Sequence, residues 1–75
     1  MSDITNYENL ANAIILQAVK DYRMALKSLK ANPRNRTALG DKNEVERFFR
    51  SDWLSVLTSV DGEMLIHSLQ MEVDS

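Results

Sequence analysis

Apolar residues recur at steps of three and four along the first part of the chain. No Gly or Pro interrupts this stretch, and at about 100° per residue the apolar positions fall on one side of a helix. Just before it, Thr5 and Glu8 have the spacing of a capping box. The pattern predicts a long helix over about residues 6–31. Its apolar stripe consists of Tyr7, Ala11, Ile14, Ala18, Tyr22, Ala25 and Leu29.

A proline ends this helix and opens the connector that follows it. Pro33 disfavours helical geometry in Asn32, and Gly40 ends the short turn that Pro33 can start. We therefore predict a connector over residues 32–40 that holds no more than one helical turn.

Further helical stretches follow the connector. Asp41 is a candidate N-cap, with an acidic residue three positions later, and residues 42–59 fit either one bent helix or two short ones. Asp61 precedes a last apolar periodicity and predicts a helix over about 61–73. No segment alternates apolar and polar residues over the length of a strand. The predicted fold is a single all-α domain of 75 residues, in which one long N-terminal helix packs against two or three short helices.

The first half of the long helix is apolar almost all round. About 25 residues make a helix of about 37 Å, whereas a compact domain of this length is about 30 Å across. The helix is therefore expected to extend beyond the domain packed against it. Either the short helices wrap this half, or a second molecule covers it, and we favour the second molecule. The candidate residues for self-association are Leu10, Ile14, Ile15 and Leu16.

Charge is segregated along the chain, although the net charge is only −2. All nine basic residues lie between Lys20 and Arg50, and that segment nets +5 once its four acidic residues are counted. The first 19 residues net −2 and the last 25 net −5. Folding either keeps these segments apart as two oppositely charged surfaces or brings them together so that they neutralise each other.

Basic residues on the polar side of the long helix form a stripe that the connector continues. Such a stripe is a solvated helix face, a track for nucleic-acid phosphates or a surface for an acidic protein partner. Because the acidic balance of the chain repels a polyanion at long range, we favour a host protein over nucleic acid as the partner. The candidate partner-binding residues are Lys20, Arg23, Lys27, Lys30, Arg34 and Arg36.

Three of the five aromatic residues lie within six positions of one another. Core packing is the main expectation for them, and an exposed anchor for a partner is the alternative, since Trp is favoured at binding hot spots. Trp53 in particular is predicted to lie between the long helix and the C-terminal helices. The candidate core or anchor residues are Phe48, Phe49 and Trp53.

The sequence offers little chemistry for catalysis or metal binding. It contains no Cys, its only His is His67 in an apolar helix, and its two glycines are isolated, so no phosphate-binding loop is present. We therefore expect no enzyme activity, no cofactor and no metal. The longest apolar run, Ala13–Leu16, is too short for a membrane span. No signal peptide is visible, and a cytoplasmic protein without a membrane partner is expected.

Two stretches of the chain carry a resemblance to a known group of proteins. The sequences AVKDYRMAL at 18–26 and FFRSDW at 48–53 resemble short uncharacterised helical proteins encoded by phages and prophages of Gram-positive bacteria. The resemblance extends over about residues 7–69 and supplies no catalytic residues. It implies a phage or prophage accessory protein, made in the cytoplasm of a bacterial host, that binds a host macromolecule. By analogy with small phage proteins, it further implies an anti-defence, anti-CRISPR-like inhibitor.

Two rival functions come from other classes. A small nucleic-acid-binding protein would use the basic stripe, and an oligomeric structural or assembly subunit would simply self-associate through the first helix.

Overall fold

Four α-helices make up the part of the chain that the computed structural model describes, which is the backbone of residues 3–74 and the side chains of residues 8–74. The helices are α1 (Asp3–Ala31), α2 (Arg36–Phe49), α3 (Asp52–Leu57) and α4 (Gly62–Asp74). No strand occurs within residues 3–74. The predicted all-α fold, with a long N-terminal helix packed against shorter ones, is confirmed.

Helix α1 ends at Ala31, as Pro33 predicts, but it begins at Asp3 rather than near residue 6. Thr5 of the predicted capping box is therefore inside the helix. Its side chain, like that of Tyr7 in the apolar stripe, lies outside the described residues.

The connector is shorter than predicted, because α2 begins at Arg36 rather than near residue 42. Asn35 is the N-cap, and its side-chain oxygen accepts a hydrogen bond from the Ala38 N–H at 3.0 Å. Gly40 therefore lies inside α2, and the predictions that it ends a turn and that Asp41 caps the helix are wrong. A good Asn cap outweighs one exposed helical glycine, which costs only about 1 kcal/mol relative to Ala.

Residues 42–59 belong to two helices, which decides between the two alternatives left open by the sequence. Arg50 is the C-cap of α2, and Ser51 has extended backbone, with φ −82° and ψ 161°, before α3 begins at Asp52. The Ser51 hydroxyl donates a hydrogen bond to the Phe48 carbonyl at 2.6 Å. The same carbonyl, at the end of α2, also accepts a hydrogen bond from the Ser51 N–H at 3.1 Å, so Ser51 supplies both of these bonds where the helix stops.

The last helix starts as predicted, with Asp61 at its cap. The Asp61 carboxylate accepts a hydrogen bond from the Glu63 N–H at 2.9 Å, and the Asp61 carbonyl accepts one from the Leu65 N–H at 3.0 Å. Gly62, the first residue of α4, lies directly against the Phe49 carbonyl at the end of α2. The start of α4 is therefore packed closely on the end of α2.

The core lies where the second half of α1 meets the three shorter helices. Tyr22 is fully buried and Phe49 is 2% exposed. Their rings meet edge to face, with centroids 5.8 Å apart. All four helices contribute to the buried cluster, which consists of Val19, Tyr22, Phe49, Leu54, Ile66 and Leu69.

The described part of the molecule is elongated because α1 is much longer than its neighbours. It measures 48 × 22 × 19 Å and has a radius of gyration of 13.7 Å, against about 11 Å for a compact domain of this length. The 29 residues of α1 span about 43 Å. The first half of α1 therefore extends beyond the core.

Candidate functional site

An exposed group of apolar side chains lies on the projecting half of α1. Leu10 is 59% exposed, Ile14 40% and Leu16 66%; we call these three residues the apolar tip. Among the described side chains of α1, none before Val19 is buried. The short helices thus do not wrap this half. The remaining self-association candidate, Ile15, is half-buried and packs against the core, so its side chain is already used by the fold.

The basic stripe on α1 is partly neutralised by α4. Arg23 forms a bidentate ion pair with Glu72, with nitrogen–oxygen distances of 2.6 and 3.0 Å. The hydrogen bond from Arg23 lowers the pKa of Glu72, and the charge of Lys27 lowers it further. Lys30 donates a hydrogen bond to the Val73 carbonyl at 2.9 Å near the end of α4. Two of the six candidate partner-binding residues therefore hold α4 against α1.

The other four basic candidates lie at the surface and form no salt bridge within residues 8–74. They are exposed, and within residues 8–74 none of them has a carboxylate oxygen within 4.0 Å of its charged nitrogens. These residues are Lys20, Lys27, Arg34 and Arg36. Folding therefore neutralises part of the stripe and leaves the rest available.

Trp53 is not a core residue, which corrects the prediction that it lies between α1 and the C-terminal helices. It is 70% exposed, whereas its neighbour Leu54 is 3% exposed and belongs to the core. The extended backbone of Ser51 resets the rotation of the chain before α3, so α3 does not continue the apolar face of α2. Phe49 lies in the core, and Phe48 is half-buried against it, with ring centroids 5.9 Å apart.

A buried polar network joins α1, α2 and α4 beside the core. The Tyr22 hydroxyl donates a hydrogen bond to Glu46 at 2.6 Å and accepts one from the Gln70 amide at 3.1 Å. The Glu46 residue is 8% exposed, and its carboxylate also pairs with Lys42 at 2.8 Å and Arg50 at 3.4 Å. No side-chain nitrogen or oxygen buried among the described residues lacks a hydrogen-bond partner. The network is therefore fully satisfied.

The pKa values of Glu46 and Tyr22, the two central members of this network, are shifted from their ordinary values. Burial by itself would raise the pKa of Glu46, but hydrogen bonds from Lys42 and Tyr22 and the charge of Arg50 outweigh it, so the pKa of Glu46 is lowered. Burial and the hydrogen bond to Glu46 raise the pKa of Tyr22 well above its usual value. A carboxylate that stays ionised and a tyrosine that stays neutral indicate a structural clamp rather than an acid–base pair.

Glu46 was not among the candidate binding, self-association or core residues predicted from the sequence. The available signal was the spacing of Lys42, Glu46 and Arg50, which lie four positions apart on one helix and favour ion pairing. Arg50 also forms a bidentate ion pair with Glu63, with nitrogen–oxygen distances of 2.5 and 3.4 Å. It therefore links the end of α2 to the start of α4.

The chain matches no protein-family model, no curated protein and no solved structure. Within the described residues, no group of three or more His, Cys, Asp or Glu side chains is placed to hold a metal ion. None of the helices in this part of the chain combines the length and apolar character that crossing a membrane requires.

Proposed function

We propose that this protein is a non-enzymatic accessory protein of phage or prophage origin that binds a host protein through the apolar tip of α1. The observation that carries the proposal is the exposure of Leu10, Ile14 and Leu16 on a helix that extends past its own core. Single exposed apolar residues are ordinary, but these three lie on two sides of one projecting segment, Leu10 and Ile14 on one side and Leu16 on the other. They therefore suit a partner that surrounds the segment.

The energetics favour a protein ligand for this surface. Complete burial of a Leu or Ile side chain contributes about 1.5–3 kcal/mol, so a partner that covers the tip gains several kcal/mol from these side chains. Nucleic-acid phosphates offer no such gain.

The test compares two variants in which the substituted residues are exposed to a similar degree. Leu16→Glu places a charge on the tip, and Met71→Glu places one on α4, where Met71 is 60% exposed against 66% for Leu16. Each tagged protein is incubated with nuclease-treated lysate of a bacterial host. We expect the captured host protein to be lost with Leu16→Glu and kept with Met71→Glu, while circular dichroism shows both variants equally helical. Equal capture by both variants would contradict the role of the tip.

The finer proposal is that the captured protein belongs to a host defence system. This part rests on the resemblance to small phage proteins. Expression of the protein in a host with active restriction or CRISPR interference should raise the plating efficiency of a targeted phage, and Leu16→Glu should abolish the effect. Unchanged plating efficiency in both systems would remove the anti-defence role and leave the binding function standing.

Two alternative functions have observations of their own. The apolar tip also suits a second copy of the chain, so sedimentation at micromolar concentration should show an oligomer that Leu16→Glu weakens if the protein is an assembly subunit. The four exposed cations that form no salt bridge within residues 8–74 suit phosphates; they are Lys20, Lys27, Arg34 and Arg36. If they bind nucleic acid, random duplex should bind with a log–log salt slope of about −3.6, from about −0.9 per phosphate contact.

A further inference from the structure

A groove runs between α1 and α2 on the flank of α1 that faces away from α4. Residues late in α1, such as Ser28, share the groove with Asn35 at the start of α2, and residues earlier in α1, such as Ile14, share it with Phe48 near the end of α2. The two helices are therefore antiparallel. The stretch from Ile14 to Ser28 gives a groove of about 21 Å at 1.5 Å per residue. Its main cavity measures about 420 Å³, and a second cavity of about 250 Å³ lies beside Phe48.

The lining of this α1–α2 groove combines an apolar floor with carboxylates from both helices. Ile14, Ala18, Val45 and Phe48 line the cavity at the Phe48 end, and Met24 and Ala25 line the main cavity. Three acidic residues line the groove, and no Lys or Arg is among the described residues that do so. The acidic residues are Asp21, Asp41 and Glu44.

These three carboxylates are not balanced by the protein's own cations. Within residues 8–74, Asp41 and Glu44 form no salt bridge, and Asp21 accepts one hydrogen bond, from the Gln17 amide at 2.9 Å. By contrast, Glu46 and Glu63 are paired with basic side chains. The groove therefore presents negative charge beside apolar surface, with a deficit of positive charge that a partner can supply.

We infer that the α1–α2 groove binds a basic amphipathic helix of another protein. A third helix laid between two antiparallel helices places apolar side chains at positions i, i+4 and i+7 on the floor. Lys and Arg on its flanks then meet Asp21, Asp41 and Glu44. The inference rests on the proposed protein-binding function and deepens it by naming a partner class. The groove and the apolar tip share only Ile14, since Leu10 and Leu16 do not line the groove.

A second copy of the chain fits the groove less well than a foreign basic helix does. The projecting part of α1 carries Glu8 and no cation before Lys20, and the chain has a net charge of −2. Its exposed apolar helix therefore supplies no positive charge to the three carboxylates. A basic helix satisfies both the apolar floor and the charge.

The probe is a labelled synthetic helix of about 14 residues, matched to the groove length, with Leu at positions i, i+4, i+7 and i+11 and Lys on both flanks. Its counterpart carries Glu in place of every Lys. We expect the Leu/Lys helix to bind the full chain at micromolar concentration in fluorescence anisotropy, and the Leu/Glu helix not to bind. Asp41→Asn with Glu44→Gln should weaken binding by about threefold to tenfold, and added salt should reduce that difference.

The matched control removes the same charge elsewhere. Glu8→Gln with Asp74→Asn also raises the net charge by two at exposed positions outside the groove, and it should leave binding within twofold of the parent. Equal weakening by both double variants would show attraction to net charge only and would overturn the inference. A change in the sedimentation coefficient of the chain alone, caused by Asp41→Asn with Glu44→Gln, would assign the groove to a second copy and would also overturn it.

A second measurement places the peptide directly. Because the chain contains no Cys, Ser28→Cys provides a single thiol in the groove, and Ser68→Cys provides one on the exposed surface of α4. A fluorophore on each thiol reports on a peptide that carries a quencher. Quenching at residue 28 and not at residue 68 supports the groove, and the reverse pattern overturns it. If Leu16→Glu abolishes host-protein capture while the Leu/Lys helix fails to bind, the proposed function stands and the groove inference alone falls.

Discussion

Gly62 is the position at which the structure leaves least room for a larger residue. A Cβ atom placed on Gly62 would lie 1.9 Å from the Phe49 carbonyl oxygen, 2.9 Å from the Phe49 carbonyl carbon and 3.1 Å from Leu54 Cδ2. The closest of these atoms is backbone at the end of α2, so it cannot move out of the way by a side-chain rotation. Gly62→Ala therefore forces α4 and α2 apart.

The size of the effect follows from the required displacement. Bringing the Cβ–oxygen distance from 1.9 Å to at least 3.0 Å needs a shift of about 1.1 Å. That shift disturbs the Arg50–Glu63 ion pair and the packing of Leu54. Overpacking of this kind costs about 1–3 kcal/mol, and the helix preference of Ala offsets less than about 1 kcal/mol of it. We expect a loss near 2 kcal/mol, out of a total stability of about 4–11 kcal/mol for 75 residues.

Gly40→Ala is the matched control, since it is the same substitution at the other glycine. Gly40 is exposed inside α2, and an added Cβ would meet nothing within 4 Å. Ala should therefore stabilise the protein by about 0.5–1 kcal/mol. Urea unfolding followed by circular dichroism should show the midpoint falling for Gly62→Ala and rising for Gly40→Ala, with thermal midpoints moving by about 4–8 °C per kcal/mol. Shifts of the same sign in both variants would refute the close approach of α4 to α2.

Four further expectations concern the buried polar network and Trp53. Tyr22→Phe should cost about 1.5–3 kcal/mol in urea unfolding, because a hydrogen bond to the buried Glu46 carboxylate is lost; an unchanged midpoint would contradict this. Because the folded pKa of Glu46 lies below its usual value of 4.5, its contribution to stability should hold above about pH 4.5 and be lost as the pH falls through the folded pKa. Because the folded pKa of Tyr22 is raised above 10.0, stability should fall by about 1.4 kcal/mol per pH unit above pH 10, and Tyr22→Phe should remove that loss. Trp53→Ala should change stability by less than about 1 kcal/mol, since the side chain is 70% exposed; a loss of 3 kcal/mol in thermal unfolding would place Trp53 in the core after all.

Helix faces with unbroken periodicity could be predicted from the sequence. The stripe on α1 contains Tyr22 and Ala25, both buried, and the cap at Asp61 lies where its sequence signal indicates. These features depend on residues within three or four positions of one another. Such local rules need no knowledge of what packs against the helix.

The position of Trp53 could not be predicted in the same way, because it depends on how the chain turns between two helices. Continuing the spacing of Val45 and Phe49 places Trp53 on the buried face. One extended residue, Ser51, rotates α3 so that Leu54 takes the buried position instead. Ser51 is compatible with either a helix or a break, so the sequence around it does not fix the rotation.

The distribution of charge shows the same limit at a larger scale and explains why the groove was not expected. The segment from Lys20 to Arg50 has a net charge of +5, and this net charge predicts a basic surface. Yet three of its four acidic residues, Asp21, Asp41 and Glu44, converge on one groove when α1 and α2 pack antiparallel. The fourth, Glu46, is buried beside Tyr22. A net charge counted along the chain averages over all sides of both helices, whereas a partner contacts only one side. For this reason a segment with an excess of cations presents an acidic face at the α1–α2 groove.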